Sequence, residues 1–571
     1  MRRVSLAILL FVVGMTQVFA QAVEDKRSAR VSGMVVRAGT TEPIRGAQVE
    51  LVPSEIGTLA DYDYNPAILN TLKSRSKSFT VATDNSGAFS FAEVIPGQYR
   101  LSAVRDGFGR TEYLQGGGND RGAVVEIPPG GRLSDLLIAM APAPTISGKV
   151  VDENGIPAAY ASVEALAVQY FPGGVRRLRL VQTADANDLG EFRLYWLSPG
   201  DYYVAVEYKD GGVRHEIFGG ASQTRPNVPL PEVEYPTYYY PGTPDLSGAQ
   251  TIHLADSGDV PGINFRLQHT PLATLRGSVT NLPTGSIRPG SIQILLAPLA
   301  LADGGFSYSY RSDVQGKFEI RGVAPGSYLI KAVASAGNSS MSSSVVRVEA
   351  GTRDVENIAI PLYPGLSLRG RVQVEGAPGA LPFDTSVVIL QFTGGLGRGE
   401  RFSGRISADG GLTETYGFPG KFQVSVMGLP EGYYLKQVLQ GSKDVLESDV
   451  QLGGENSPVV DLILGRNRKA LTGTVLGLDS KPGPGAVVVL IPKQFHNRDD
   501  RYRRVTTDAQ GQFRIIGTPP GTYTAYAFDE IFADVFYNPE FLRLYAGRGV
   551  DVTVNDITDS IANPRLIPVQ R

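Results

Sequence analysis

Along most of the chain, apolar and polar residues alternate over short stretches bounded by Gly, Pro, Asn and Asp, the period of strands with one buried face. Phe89 and Phe91, Phe318 and Ile320, and Phe513 and Ile515 each flank one polar residue, and Tyr99, Leu101 and Ala103 continue the same parity. Turns separate these stretches at short intervals, so the pattern predicts many small strands and few helices.

The pattern recurs. Five segments open on an apolar-x-Gly-x-Val strand, with the glycine at 33, 148, 277, 370 and 473. A second anchor, Asp-x-x-Gly-x-Phe, runs from Asp84 to Phe89, Asp313 to Phe318 and Asp508 to Phe513, with Asn187 in place of Asp before Phe192. The fourth copy departs, with Ser407 for the Asp and Leu412 for the Phe. A third anchor, Pro-Gly-x-aromatic, places Tyr99, Tyr202, Tyr328, Phe422 and Tyr523 two residues after a glycine. The glycines of the second and third anchors are 10 residues apart in every copy. Asp, Asn and Gly at such fixed offsets supply side-chain-to-backbone bonds and positive φ for tight reversals, so each copy reads as a small β-meander of about seven strands.

These motifs resemble the carboxypeptidase regulatory-like domain, a transthyretin-like sandwich. Copies one and five carry them throughout, including Gly46-Ala47-Gln48-Val49 and Gly485-Ala486-Val487-Val488. The resemblance implies an all-β fold: a tandem array of about five seven-stranded Greek-key sandwiches, with short helices confined to insertions. The expected divisions are 1–20 as a signal peptide, then repeats at 21–143, 144–271, 272–364, 365–467 and 468–571. Short Pro-containing junctions such as Ala143-Pro144 and Tyr363-Pro364 predict a semi-rigid rod. The resemblance also implies a non-catalytic accessory role, and related starch-binding-like sandwiches suggest carbohydrate as a ligand by analogy.

Composition narrows the chemistry. The chain has no Cys and four His, which excludes disulfides, thiolate metal sites and cysteine nucleophiles. Its 54 basic and 57 acidic residues leave a net charge of -3, without the positive field that nucleic-acid binding needs. Met1-Arg2-Arg3, the apolar run Val4 to Val13, and Val18-Phe19-Ala20 before Gln21 predict a secretory signal cleaved after Ala20. Its apolar run falls short of a membrane span, and none follows it, so the mature chain is expected in the periplasm, at the cell surface or outside the cell.

Candidate binding residues sit in insertions. Tyr235-Pro236-Thr237-Tyr238-Tyr239-Tyr240-Pro241 lengthens repeat two, and in an extended segment Tyr238 and Tyr240 share one face while Tyr239 takes the other. Aromatic faces stack on sugars or on partner side chains, so Tyr238, Tyr239 and Tyr240 are ligand-binding candidates. The competing expectation packs them between repeats two and three. Trp196 is a further candidate, aligned with Glu93, Gly322, Tyr416 and Gly517 of the other copies. Its competing reading is a ring folded over the end of the sandwich. Asn538-Pro539 opens a capped helix stopped by Gly547, expected to dock on its own sandwich, and Asn65-Pro66 opens another in repeat one.

No catalytic, cofactor or metal motif is found. The stretch from Asp61 lacks the glycine and Glu of a calcium loop, and the repeated Asp84, Asp313 and Asp508 are explained as turn formers. His215, His253, His269 and His496 are scattered, and neither a nucleophile elbow nor a phosphate-binding loop occurs. Arg176-Arg177 and Arg501-Tyr502-Arg503-Arg504 read as solvated hairpin tips. The sequence therefore predicts an exported, non-enzymatic binding or scaffold protein. Polysaccharide recognition by loop-end aromatics is the first reading, and a structural or adhesion module facing cell-envelope proteins is the alternative.

Overall fold

The computed structural model describes residues 28–54, 77–115, 121–208, 233–255, 258–282, 292–299, 308–336, 339–377, 379–394, 397–413, 416–453, 459–531 and 534–569. The expected signal peptide and the helix expected at Asn65-Pro66 lie outside them. The described chain is almost wholly β. Five buried apolar clusters succeed one another, within residues 29–140, 146–267, 275–362, 368–464 and 471–562.

The copies share a topology in which the first strand is central to one sheet. Ala29–Arg37 runs antiparallel to Ala88–Val94, which carries the motif phenylalanine, and parallel to the last strand Arg132–Met140. Ala273–Thr280 stands likewise between Lys317–Val323 and Val355–Pro364, and Ala470–Thr474 between Gln512–Ile516 and Ser560–Ile561. In repeat two, Thr145–Val151 lies between Glu191–Leu194 and Phe265–Arg266. The opposing sheet is built on a hairpin-like pair, Gln48–Pro53 with Gly97–Val104 in repeat one and Val487–Pro492 with Gly521–Phe528 in repeat five.

Repeat three departs because Ser339–Ser343 pairs with both Gly326–Ala336 and Val355–Pro364, joining its strands into one eight-stranded sheet. In repeat four, Tyr433–Gln440 crosses to lie beside the last strand Val460–Arg466.

The anchors have one physical explanation each. A Cβ on the first-strand glycine would lie 2.0 Å from Leu136 O at Gly33, 1.9 Å from Ile263 O at Gly148, 2.1 Å from Ile358 O at Gly277, 1.9 Å from Val460 O at Gly370 and 1.7 Å from Ala562 O at Gly473. The glycine is thus the point where the last strand bulges against the first, and no side chain fits there. The turn aspartates serve their own backbone. Asp508 Oδ1 accepts from Gln510 N at 2.9 Å and Gln512 N at 2.8 Å, Asp84, Asn187 and Asp313 repeat the pair, and a calcium role is unnecessary. The third-anchor tyrosines donate to the carbonyl four residues back, as Tyr99 to Ile95 at 2.9 Å and Tyr202 to Ser198 at 2.7 Å.

The expected rod is corrected. Repeat five touches repeats one, two and four, bringing residues 121 and 506 into a hydrogen bond of 2.6 Å between Thr506 Oγ1 and Arg121 O. The expected solvated tip at 501–504 is corrected with it. Arg501 is buried, and Arg498 just before it is only 2% exposed. Arg498 donates to Leu446 O at 2.9 Å and Val424 O at 3.0 Å in repeat four, and to Asp500 beside it at 2.8 and 2.9 Å. These groups solvate the guanidinium in place of water. The helix Pro539–Leu544 does form, with Asn538 Oδ1 accepting from Glu540 N, and Phe541 and Leu542 pack on the outer face of its own sandwich.

Candidate functional site

The tyrosine segment enters the fold as a strand. Tyr238–Tyr239 pairs antiparallel with Gly200–Glu207, Tyr239 opposite Ala205 and Tyr238 opposite Val206. Alternation then sends the two rings to opposite faces of one sheet. Tyr238, 4% exposed, joins the main core of repeat two and donates to Gln268 O at 2.9 Å. Tyr239, 6% exposed, packs with Leu166, Leu178 and Tyr203 on the other face. Tyr240 follows Tyr238 inward and meets the Phe265 ring edge-on, centroids 6.1 Å apart. The expectation of Tyr238, Tyr239 and Tyr240 as ligand-binding rings is therefore corrected, since Tyr238 and Tyr239 are buried and Tyr240 packs against the core. Both faces of this strand are covered, so the rings stabilise repeat two itself.

Trp196 has the opposite fate. It is 54% exposed, and Tyr195, 45% exposed, meets it edge-to-face at 4.7 Å and 90°. Strand Glu191–Leu194 buries Phe192 and Leu194 and turns Glu191 and Arg193 out, so Tyr195 points outward by parity. Trp196 should then turn inward. It does not, because its φ is +60°, a left-handed bulge that hands the inward place to Leu197. The aligned residues share this backbone: Glu93 at +57°, Gly322 at +73° and Gly517 at +75°. Side chains of Tyr416, the fourth counterpart, lie outside the described residues. A bulky residue in this region carries about 1–2 kcal/mol of strain, which glycine avoids in two of the repeats. Beside the pair, Arg193 Nη2 lies 3.1 Å from Asp259 Oδ2, and Gln182 Nε2 donates to Tyr195 O at 3.2 Å. Two exposed rings next to a charged pair are equipped for stacking with lateral hydrogen bonds. The sequence pointed to Trp196 but missed Tyr195, which strand parity alone would have placed outside.

Repeat two also buries a carboxyl. Glu164, opposite Ala205 on the Tyr239 face, is 2% exposed, and burial, followed by repulsion from Glu207, pushes it up to about 8. The folded protein therefore holds a proton that the unfolded chain releases, and stability falls as pH rises from the ordinary carboxylate range to about 8. Glu164→Gln is expected to raise stability at pH 8 by roughly 1–3 kcal/mol and to leave it nearly unchanged at pH 4. Urea midpoints of both proteins at the two pH values check this.

Two of the four histidines pair with single carboxylates, His253 Nδ1 with Asp201 at 2.9 Å and His269 Nδ1 with Glu153 at 2.8 Å. Tyr235 Oη also donates to Glu153, and its ring stacks on His269 at 4.1 Å. Among the described residues, no three His, Asp or Glu are placed to hold a metal ion, and no helix is long and apolar enough to cross a membrane.

Residues 470–557 match the carboxypeptidase regulatory-like domain. The fifth repeat is such a domain. Repeats one to four share its first-strand glycine, its turn geometry and, except in repeat four, its tyrosine hydrogen bond. No curated protein matches the chain. Among solved structures it is similar to GBS52, the minor pilin of Streptococcus agalactiae, at 12% identity over 46% of this chain and 100% of that one, with a TM-score of 0.23. A streptococcal ancillary pilin matches at 13% identity over 59% of this chain and 99% of that one, TM-score 0.19. The shaft pilin SpaA of Lactobacillus rhamnosus GG matches at 10% identity over 43% of this chain and 98% of that one, TM-score 0.18. Scores this low carry no argument about assembly or ligand.

Proposed function

We propose that the whole chain is built of carboxypeptidase regulatory-like repeats, at 21–143, 144–271, 272–364, 365–467 and 468–571, and that it is an exported, non-enzymatic scaffold of the cell surface or periplasm. One observation carries the reading: apart from Trp196, the residues singled out in the sequence are engaged in building the fold. The turn aspartates hold their own backbone, Tyr238 and Tyr239 are core, and the arginines around 500 fasten one repeat to another. Protein partners in the cell envelope suit such a surface better than a small substrate. Export is tested by expressing the whole chain in a bacterial host. The mature protein should begin at Gln21 outside the cytoplasm, and a cytoplasmic product retaining Met1 overturns this part.

A second reading, polysaccharide contact, is favoured by the exposed Tyr195 and Trp196 pair. Trp196 is the single tryptophan of the chain, so its emission reports this site alone. A polysaccharide stacking there is expected to shift that emission to the blue, and Tyr195→Ala should weaken the response about tenfold, equivalent to ~1.4 kcal/mol. Unchanged emission with every glycan at millimolar concentration rejects it.

A further inference from the structure

Repeat five holds its neighbours in two different ways. Toward repeat four it shares a core: Phe495 packs against the fourth apolar cluster, and Arg498 and Arg501 satisfy carbonyls of Val424, Leu446 and Leu435. Between the two repeats, Asn467 is fully buried and donates to Thr518 O at 2.9 Å and Asn555 O at 3.2 Å. These contacts fix repeats four and five as one body.

Toward repeats one and two the contacts are single hydrogen bonds and local van der Waals touches. Thr506 Oγ1 donates to Arg121 O, and Gly485 approaches Leu114. Gly173 N donates to His496 O at 3.1 Å, Pro539 rests on Gly174, and the turn Val535–Tyr537 lies along strand Ser162–Phe171. Among the described residues, no buried apolar cluster joins repeat five to repeat one or two. Contacts without a common core open at lower free energy than the bodies they connect.

We propose that repeat five is a releasable clasp. It is permanently bound to repeat four and reversibly bound to repeats one and two, so the chain alternates between a closed form and an open form that pivots about repeat three. Repeat three suits this role because its apolar cluster is wholly its own, and a cation over a ring, Lys331 on Phe418 at 4.1 Å, links it to repeat four. Opening frees the edges of repeats one, two and five together, giving a partner access to surfaces that the closed form occupies.

The absence of cysteine makes the test direct. A Cβ on Gly485 would lie 4.0 Å from Leu114 Cβ, within disulfide range. Leu114→Cys with Gly485→Cys is expected to give an intramolecular disulfide in the monomer on oxidation. In Thr506→Cys, a buried position where repeat five meets repeat one, the thiol should react with a thiol reagent in native buffer at least ~100-fold faster than the thiol of Thr518→Cys at the junction of repeats four and five. Protection equal to that of Thr518→Cys overturns the proposal, because the clasp would then open only with global unfolding. Small-angle scattering of the unmodified chain guards against a variant that misfolds. A radius of gyration that rises reversibly, from near the ~25 Å of a compact chain of this length, in urea too dilute to unfold the repeats supports it. A radius that stays at the compact value until the repeats themselves unfold, or one roughly twice that value under all conditions, overturns it.

Discussion

Gly473→Ala is expected to unfold repeat five. The added methyl carbon would lie 1.7 Å from Ala562 O and 2.7 Å from the Phe513 ring, and the carbonyl belongs to the last strand, so relief requires that strand to leave the first. Backbone does not yield as a flexible side chain does, and the cost is placed at roughly 3–5 kcal/mol or more, enough to abolish the unit's transition. Gly351→Ala is the matched control. Nothing lies within 4 Å of a Cβ there, and the change should be neutral or slightly stabilising. Calorimetry of the two variants beside the parent separates these outcomes, and an unchanged transition for Gly473→Ala would mean that the first and last strands are not in this register.

The second large effect belongs to Arg498. Arg498→Ala deletes the donors to Leu446 O and Val424 O and strands the Asp500 carboxylate in a partly buried position. Removing one partner of a buried ion pair costs about 3–5 kcal/mol, most of it the penalty of the group left behind. Because the acceptors lie in repeat four, the loss should lower the midpoints of repeats four and five together, which a denaturant titration followed by hydrogen exchange resolves. Adding Asp500→Asn should recover part of the loss by removing the stranded charge. Equal stability of Arg498→Ala and the parent would show the guanidinium to be solvated.

Whatever depends on neighbours within about ten residues was legible before any coordinates. The Asp-x-x-Gly turn, the tyrosine two residues after its glycine, and the Asn538 cap each act through bonds to backbone close by, so their spacing is their mechanism. The equivalence of Trp196 with Glu93, Gly322 and Gly517 was also legible, and the shared positive φ explains why such different side chains occupy it. What lay hidden depends on surfaces distant in sequence. Alternation separated Tyr238 from Tyr239 correctly but could not say that both faces of their strand are covered. Likewise Arg501 looks like a hairpin-tip arginine until the Leu435 carbonyl, 66 residues earlier, closes on it, and Arg498 just before it meets carbonyls 52 and 74 residues earlier. A Pro-containing junction restrains direction locally, and it does not reveal that residue 506 returns to residue 121.

The parallel pairing of first and last strands has a mechanical consequence. In each repeat the chain enters at one end of that ladder and leaves at the other, because the two strands run the same way side by side. Tension applied to the ends of a repeat therefore slides these strands past each other, loading their hydrogen bonds in shear and simultaneously instead of peeling them one by one. Resistance to pulling is set by the unfolding rate under load and not by equilibrium stability. A chain of such units would yield in discrete steps under stress, repeat by repeat, and regain its length when the load is removed.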